Sequence, residues 1–408
     1  MALAGVLLAL VVIIILVNRK SDTGLALLVG ACIVGLFSPE SAPAKLEAAW
    51  QALSAADTLE LAAIIGLVLC TGTLLKASGA MDRLMAALEG VFGDGRMVMA
   101  VTPAVISLLT VPGGAILAAP MIGRVGEELG VPPQHPAASN LMFRHLFYPV
   151  YPLYTSLILA AGVSGAGLGG LILLGLPASL IGLSVSFYLY LAPFKPVPQG
   201  AEGRNRLQAL AGVVVNLSPV LLAVALALGL RWRFSLALLT GCVWAFLLHL
   251  GPPHGPELRR RLRALLVRTP LTTLPLVAFG VAGLRSMVEG SGAVAATANH
   301  LVQVGVPVWF LAVTVPFLTG IATGSNLAAL GISLPMLLPL FPPGQTLPLS
   351  YLVFMSTCIG YVVSPLHLCL ILSRDYFGAS IGRLYRMLAV PVAAVMITAV
   401  AVALLAAR

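Results

Sequence analysis

YPVYPLY, residues Tyr148–Tyr154, returns as YVVSPLH, residues Tyr361–His367, and the two stretches hold one register: 361 − 148 = 213 and 365 − 152 = 213. Outward from this pair, the same offset joins Ser78-Gly79 to Ser291-Gly292 (291 − 78 = 213) and Pro103 to Pro316. It sets VPGGA (Val111–Ala115) opposite GSNLA (Gly324–Ala328), and the amphipathic segment Lys45–Leu53 opposite Leu258–Leu266. An ungapped register kept over several elements reads as a duplication, and overlooking a repeat misreads a whole fold.

Composition says in which solvent the duplicated unit lives. Of 408 residues, 59% are hydrophobic and 9% charged, with a mean hydropathy of +1.03, whereas soluble domains carry about 25% charged residues. Apolar runs at 2–17, 23–38, 57–75, 138–162, 168–192, 207–228, 234–250, 271–288, 347–372 and 387–407 read as ten spans, most near the ~20 residues that cross a hydrocarbon core. Two further apolar stretches, 97–122 and 307–340, are interrupted by VPGGA and by TGSNLA (Thr323–Ala328), where glycine and proline break a helix. They read as re-entrant hairpins. The expectation is an all-α polytopic membrane protein of two repeats, 1–192 and 207–408, joined by a cytoplasmic linker at 193–206. Each repeat has five spans and one hairpin, and an odd number of crossings inverts the second copy relative to the first.

Charge sets the orientation. The first apolar run has no basic residue before it and no small-residue cleavage site, so it reads as a span and not as a cleaved signal peptide. Arg19 and Lys20 follow it, which puts the N-terminus outside. The loops 18–22, 193–206, 251–270 and 373–386 are then cytoplasmic and hold most of the Lys and Arg, including Arg259, Arg260, Arg261, Arg263 and Arg268. Arg231 and Arg233 are the exception. With ten spans the C-terminus is also outside, in an inner (plasma) membrane. The formal charge of +9 thus suits anionic lipid, and nucleic acid is not an expected partner. Five cysteines without C-x-x-C spacing indicate neither a disulfide framework nor a zinc site.

Irregular backbone inside a membrane is tolerated only where it is buried in protein or lines a wet cavity. At a hairpin tip, a half-helix N-terminus offers free N–H groups to an anion, and half-helix carbonyls suit a cation. The candidate substrate contacts are Thr110, Pro112, Gly113 and Gly114 at the first tip and Thr323, Gly324, Ser325 and Asn326 at the second. Tyr148, Tyr151, Ser364 and His367 join them from the broken spans alongside. Oxygens of Thr323, Ser325, Asn326 and Ser364 are the candidate sodium ligands. The plainer readings are that small residues only pack helices closely and that the prolines only kink them. Arg144 and His145 open the span after the first hairpin, where Arg144 either attracts a carboxylate or snorkels to the surface. His367 is a proton carrier, a ligand contact or a neutral packing residue. Asp57, Glu60, Lys76, Arg285 and Asp375 read as interfacial.

GTLLKASGAMDRL (Gly72–Leu84), TVPGGAILAAPMI (Thr110–Ile122), TGSNLAALGISLPM (Thr323–Met336) and SPLHLCLILSRDYF (Ser364–Phe377) resemble the ion-transporter superfamily of gluconate permeases, divalent-anion/sodium symporters and arsenite carriers. Within it the chain is most similar to the ten-span family called domain of unknown function 401. The resemblance implies a homodimer whose scaffold stays fixed while hairpin-bearing domains move as an elevator. The superfamily's symporters carry a Ser-Asn-Thr signature at both tips. Here Leu327 follows Ser325-Asn326, and the first tip reads Pro112-Gly113-Gly114.

The reading is a secondary transporter of a small organic anion, a sugar acid or carboxylate, coupled to sodium or protons and using no other cofactor. The alternative is a channel or exporter for an ion or inorganic oxyanion. No H-E-x-x-H motif and no cluster of intramembrane carboxylates points to an enzyme. The topology predicts that alkaline phosphatase fused within 39–56 is active and that fusions within 251–270 are inactive; the reverse pattern in whole-cell assays inverts the orientation.

Overall fold

A computed structural model describes residues 2–19, 21–107, 114–198, 206–230, 232–250, 275–292 and 306–407. The first half runs α1 (Ala2–Asn18), α2 (Thr23–Phe37), α3 (Ala42–Ser54), α4 (Ala56–Ala77), α5 (Ala80–Val91), α6 (Gly95–Ser107), α7 (Gly114–Glu128), α8 (Gln134–His145), α9 (Thr155–Ser164) and α10 (Leu168–Tyr190). The second runs α11 (Arg206–Val224), α12 (Phe234–Leu250), α13 (Leu276–Gly290), α14 (Val308–Thr323), α15 (Asn326–Leu337), α16 (Thr346–Val363), α17 (Leu368–Phe377) and α18 (Ile381–Ala406). No strand occurs among the described residues, only an isolated bridge between Asp94 and Pro198.

Six segments are long and apolar enough to cross a membrane: 56–75, 134–164, 168–190, 206–227, 346–377 and 381–406. Large apolar side chains on their outer faces, such as Leu173, Leu207 and Ile397, are exposed, as lipid contact requires. The protein is therefore a multi-pass helical membrane protein. Four of the expected spans are shorter. α1, α2, α12 and α13 have 17, 15, 17 and 15 residues, and at 1.5 Å per residue a 15-residue helix covers about 22 Å of a ~30 Å core. The expected spans 138–162 and 347–372 are each two helices with an irregular joint. α5 is not among the expected spans, because MDRLMAALEG carries Asp82, Arg83 and Glu89 and is too polar and short for one. The amphipathic helix expected at 45–53 is α3; its counterpart at 258–266 lies outside the described residues.

Helix starts recur at the offset found in the sequence: 308 − 95, 368 − 155 and 381 − 168 all equal 213. The packing recurs too. α1 lies on α2 as α11 lies on α12, and α2 pairs with α13 as α12 pairs with α4. α6 packs on α7 and α8 as α14 packs on α15 and α16. The halves interlock, since α7 rests on α17 while α15 rests on α9, and α10 and α18 pack on each other. The core between them holds Leu141, Leu157, Leu334, Tyr351 and Phe354, all fully buried.

Close backbone approach fixes the pairing of α14 with α16. A Cβ added at Gly320 would lie 2.8 Å from both the Thr357 carbonyl oxygen and the Tyr361 nitrogen, and one at Gly360 would collide with the Phe317 carbonyl. Backbone cannot yield as a side chain can, and forcing atoms into a packed core costs about 1–3 kcal/mol. By contrast a Cβ at Gly382, in the first turn of α18, meets nothing within 4 Å. Gly360→Ala should therefore lower the thermal unfolding midpoint of the purified protein by several degrees, while Gly382→Ala leaves it unchanged or raises it. Equal midpoints for the two variants would contradict the packing described.

Candidate functional site

Among the described residues, helices stop inside the bundle at the second hairpin and at the joints that follow α8 and α16, and each stop leaves backbone groups that need partners. At the second hairpin, α14 ends at Thr323, Gly324 takes a left-handed conformation (φ 59°), and Ser325 caps α15 by accepting from the Ala328 N–H at 3.3 Å. The αL position suits glycine, and a Cβ there would also strike Leu366. The Thr323 hydroxyl lies 2.8 Å from the Thr319 carbonyl and 3.1 Å from that of Ser325, and it accepts from the Ser325 N–H. Thr323 and Asn326 are buried.

The joint between α16 and α17 meets this tip. The Ser364 hydroxyl donates to the Ile321 carbonyl in the last turn of α14 (2.7 Å) and accepts from the Leu366 N–H (3.1 Å). Of the donor and two acceptor positions a hydroxyl has, Ser364 retains one lone pair. The equivalent joint in the first half spans 146–154 and contains one short 3₁₀ turn at Tyr148–Val150.

The structure brings together a set of side chains from both joints. Tyr148 and Tyr154 stack with ring centroids 3.9 Å apart, and Tyr361 leans on His367 at 3.9 Å. His145 lies between the pairs, 4.9 Å from Tyr148, 5.4 Å from Tyr361 and 4.7 Å from His367. Asn326 reaches in from the second tip, its amide donating to the Tyr154 hydroxyl (2.9 Å) and to the Cys358 sulfur (3.1 Å). Its Oδ1 has no hydrogen-bond partner among the described residues. Arg144, 2% exposed, lies within electrostatic range of Tyr148, Tyr361 and Cys369.

Of the residues singled out in the sequence, Tyr148, Asn326 and His367 thus join one buried cluster, with Thr323, Gly324, Ser325 and Ser364 at its edge. Tyr151 is buried in the first joint. Thr110, Pro112 and Gly113 lie outside the described residues, and Gly114 opens α7. The start of α7 is tied to the rest through Asn140, whose amide donates to the Ala115 carbonyl and to the Ser373 hydroxyl, both at 3.0 Å. Arg144 does not snorkel; it is inside the cluster. Cys358 and Asn140 gave no sequence signal beyond being polar or soft residues in apolar runs.

A cavity of about 30 Å³ beside His145 and Cys358 has room for about one water. A larger cavity of about 380 Å³ opens between α3, α4, α9 and α13, lined by Asp57, Arg285 and Glu289. There Arg285 pairs with Glu289 at 2.9 Å and donates to the Val163 carbonyl near the end of α9. Glu60 pairs with Arg233 at 2.7 Å, which gives one of the two exceptional arginines a local partner.

No curated protein matches the chain. Among solved structures it is similar to MtrF of Neisseria gonorrhoeae, which represents a class of antimetabolite efflux pumps, with a TM-score of 0.44 and 11% identity over 88% of this chain and 82% of that one. A likeness of that strength carries nothing about function. Residues 2–407 match the family described as protein of unknown function DUF401, and the chain belongs to that family.

Proposed function

We propose that the protein is a secondary active transporter of a small organic anion, a sugar acid or carboxylate, coupled to sodium or protons. The observation that carries this reading is the burial of Arg144 where a broken span meets the Tyr148–Tyr154 stack, His145 and the Tyr361–His367 pair. Removing a charge from water costs several kcal/mol, and an ionisable side chain kept inside a membrane protein is a functional candidate by default. A planar guanidinium pairs two N–H groups with a carboxylate. The neighbouring tyrosines and histidines offer hydrogen bonds to hydroxyl groups, which suits a hydroxylated acid.

In this reading residues 1–192 and 207–408 are inverted repeats joined by 193–206, in line with the helix starts spaced by 213 and with the recurring packing. Their hairpins enter from opposite sides, and the tips, with Thr110, Pro112, Gly113, Gly114, Thr323, Gly324, Ser325 and Asn326, meet the broken spans carrying Tyr148, Tyr151, Ser364 and His367. Remaining lone pairs of Thr323, Ser325 and Ser364, and Asn326 Oδ1, are the oxygens offered to sodium. The buried cluster then belongs to an occluded state, opened to either side by an elevator-like movement. Membership of the ion-transporter superfamily, a homodimer in the inner membrane and both termini outside complete the proposal.

A ligand that binds only the folded protein raises its apparent stability, by about 2.7 kcal/mol at a hundred times Kd. Purified protein should be stabilised by gluconate or a related acid from a panel of sugar acids, dicarboxylates, monocarboxylates and inorganic oxyanions, with the shift depending on sodium or on low pH. Arg144→Gln should weaken that binding about 10- to 100-fold, since a hydrogen bond to a charged group contributes about 1.5–3 kcal/mol. Asn326→Leu should abolish it with membrane insertion intact. Unchanged affinity in both variants would remove the site from the account.

A further inference from the structure

His145, His367 and Cys369 stand together inside the bundle, all buried, with one ligand atom from each lying within 4.8 Å of the others. Three elements supply them: His145 ends α8, His367 precedes α17 and Cys369 lies in the first turn of α17. The transport reading makes no use of Cys369.

The tautomer decides what such a cluster accepts. His145 Nδ1 lies 2.6 Å from the Leu141 carbonyl and His367 Nδ1 lies 3.4 Å from the Val362 carbonyl. A carbonyl oxygen only accepts, so the neutral ring carries its proton on Nδ1 and presents a lone pair at Nε2. Neither Nε2 has a hydrogen-bond partner among the described residues. A carbonyl on one ring nitrogen and an open lone pair on the other is the arrangement that orients metal-binding histidines. Two open imidazole lone pairs in one buried cluster attract a cation.

Cys369 adds a soft sulfur, and a set of two imidazoles and one thiolate favours copper, zinc and their congeners over magnesium or calcium. Charge then separates the candidates. Arg144 is within electrostatic range of all three ligands. A monovalent ion that replaces the thiol proton leaves the net charge of the buried site unchanged, whereas a divalent ion adds a positive charge beside a buried guanidinium, with a desolvation cost to match. Bonds of about 2.0–2.3 Å place trigonal ligand atoms roughly 3.5–3.8 Å apart, so side-chain movements of about an ångström complete the coordination.

We propose that His145, His367 and Cys369 form a three-coordinate site for a soft monovalent cation, copper(I) or silver(I). Binding exchanges one proton for one ion: the Cys369 thiol loses its proton to solvent, the sulfur bonds the ion, and the two Nε2 lone pairs fill the remaining positions with no change of oxidation state. The inference does not rest on transport. His367 is shared with the proposed anion site, so ion and anion exclude each other there.

The full-length protein, reduced and loaded with one equivalent of copper(I) against a competing chelator, gives the test by X-ray absorption at the copper edge. Two nitrogen ligands and one sulfur are expected, together with tighter binding of copper(I) than of zinc. Cys369→Ser should weaken copper binding by at least about tenfold, as should His145→Gln and His367→Gln, with the other four cysteines intact. Sulfur-only coordination, preference for zinc, or wild-type affinity in Cys369→Ser would each overturn the proposal. Should a variant fail to fold, the spectrum of the unmodified protein still decides.

Discussion

Hydrocarbon offers no partner to a bare N–H or C=O, and each unsatisfied group costs several kcal/mol there. This chain nevertheless stops its helices inside the bundle at the second hairpin and at both joints. Everything around the site follows from paying that cost. Ser364 covers the carbonyl that the end of α14 leaves open, and Ser325 covers an N–H at the start of α15. The polar side chains that look like binding residues in the sequence are thus, in part, the seals that allow the breaks to exist. Acceptor capacity remains beside the breaks, among it one lone pair on Ser364, Oδ1 of Asn326 and two imidazole lone pairs, with the Arg144 guanidinium buried among tyrosines.

The same constraint explains why the halves interlock. A broken helix cannot face lipid at its break, so each hairpin arm shelters against the post-break helix of the other half, α7 on α17 and α15 on α9. Close crossings follow, with Gly320 and Gly360 bringing two backbones into contact where any side chain would separate them. Small residues serve this purpose in membranes generally, because packing and not exclusion from water holds helices together there. Motion of one arm must therefore be felt at the joint it leans on.

Much of the fold was legible because its signals are local. Apolar runs, the glycine and proline interruptions and the 213-residue offset lie in plain order, and the helices α9 and α17 begin within that register. α5 was missed because an amphipathic helix under a bundle lacks the hydropathy of a span. The joints at Pro149 and Pro365 could be located but not their consequence. The site was half legible: Tyr148, Asn326, Ser364 and His367 stand out as polar residues in apolar runs. Arg144, near the start of a span, gave equal weight to surface and interior, and only the fold of α8 against the joints resolves it. Cys369 carried no signal at all, since its meaning depends on His145, which is 224 positions away (369 − 145 = 224).

Counterflow measures the central claim most directly, that the buried arginine and the broken helices form a carrier site reached alternately from each side. Proteoliposomes loaded with unlabelled gluconate should take up labelled gluconate transiently above equilibrium, and those containing Arg144→Gln should not. Labelled gluconate that only equilibrates, at a rate indifferent to what is trapped inside, would contradict a carrier and leave a passive pore in its place.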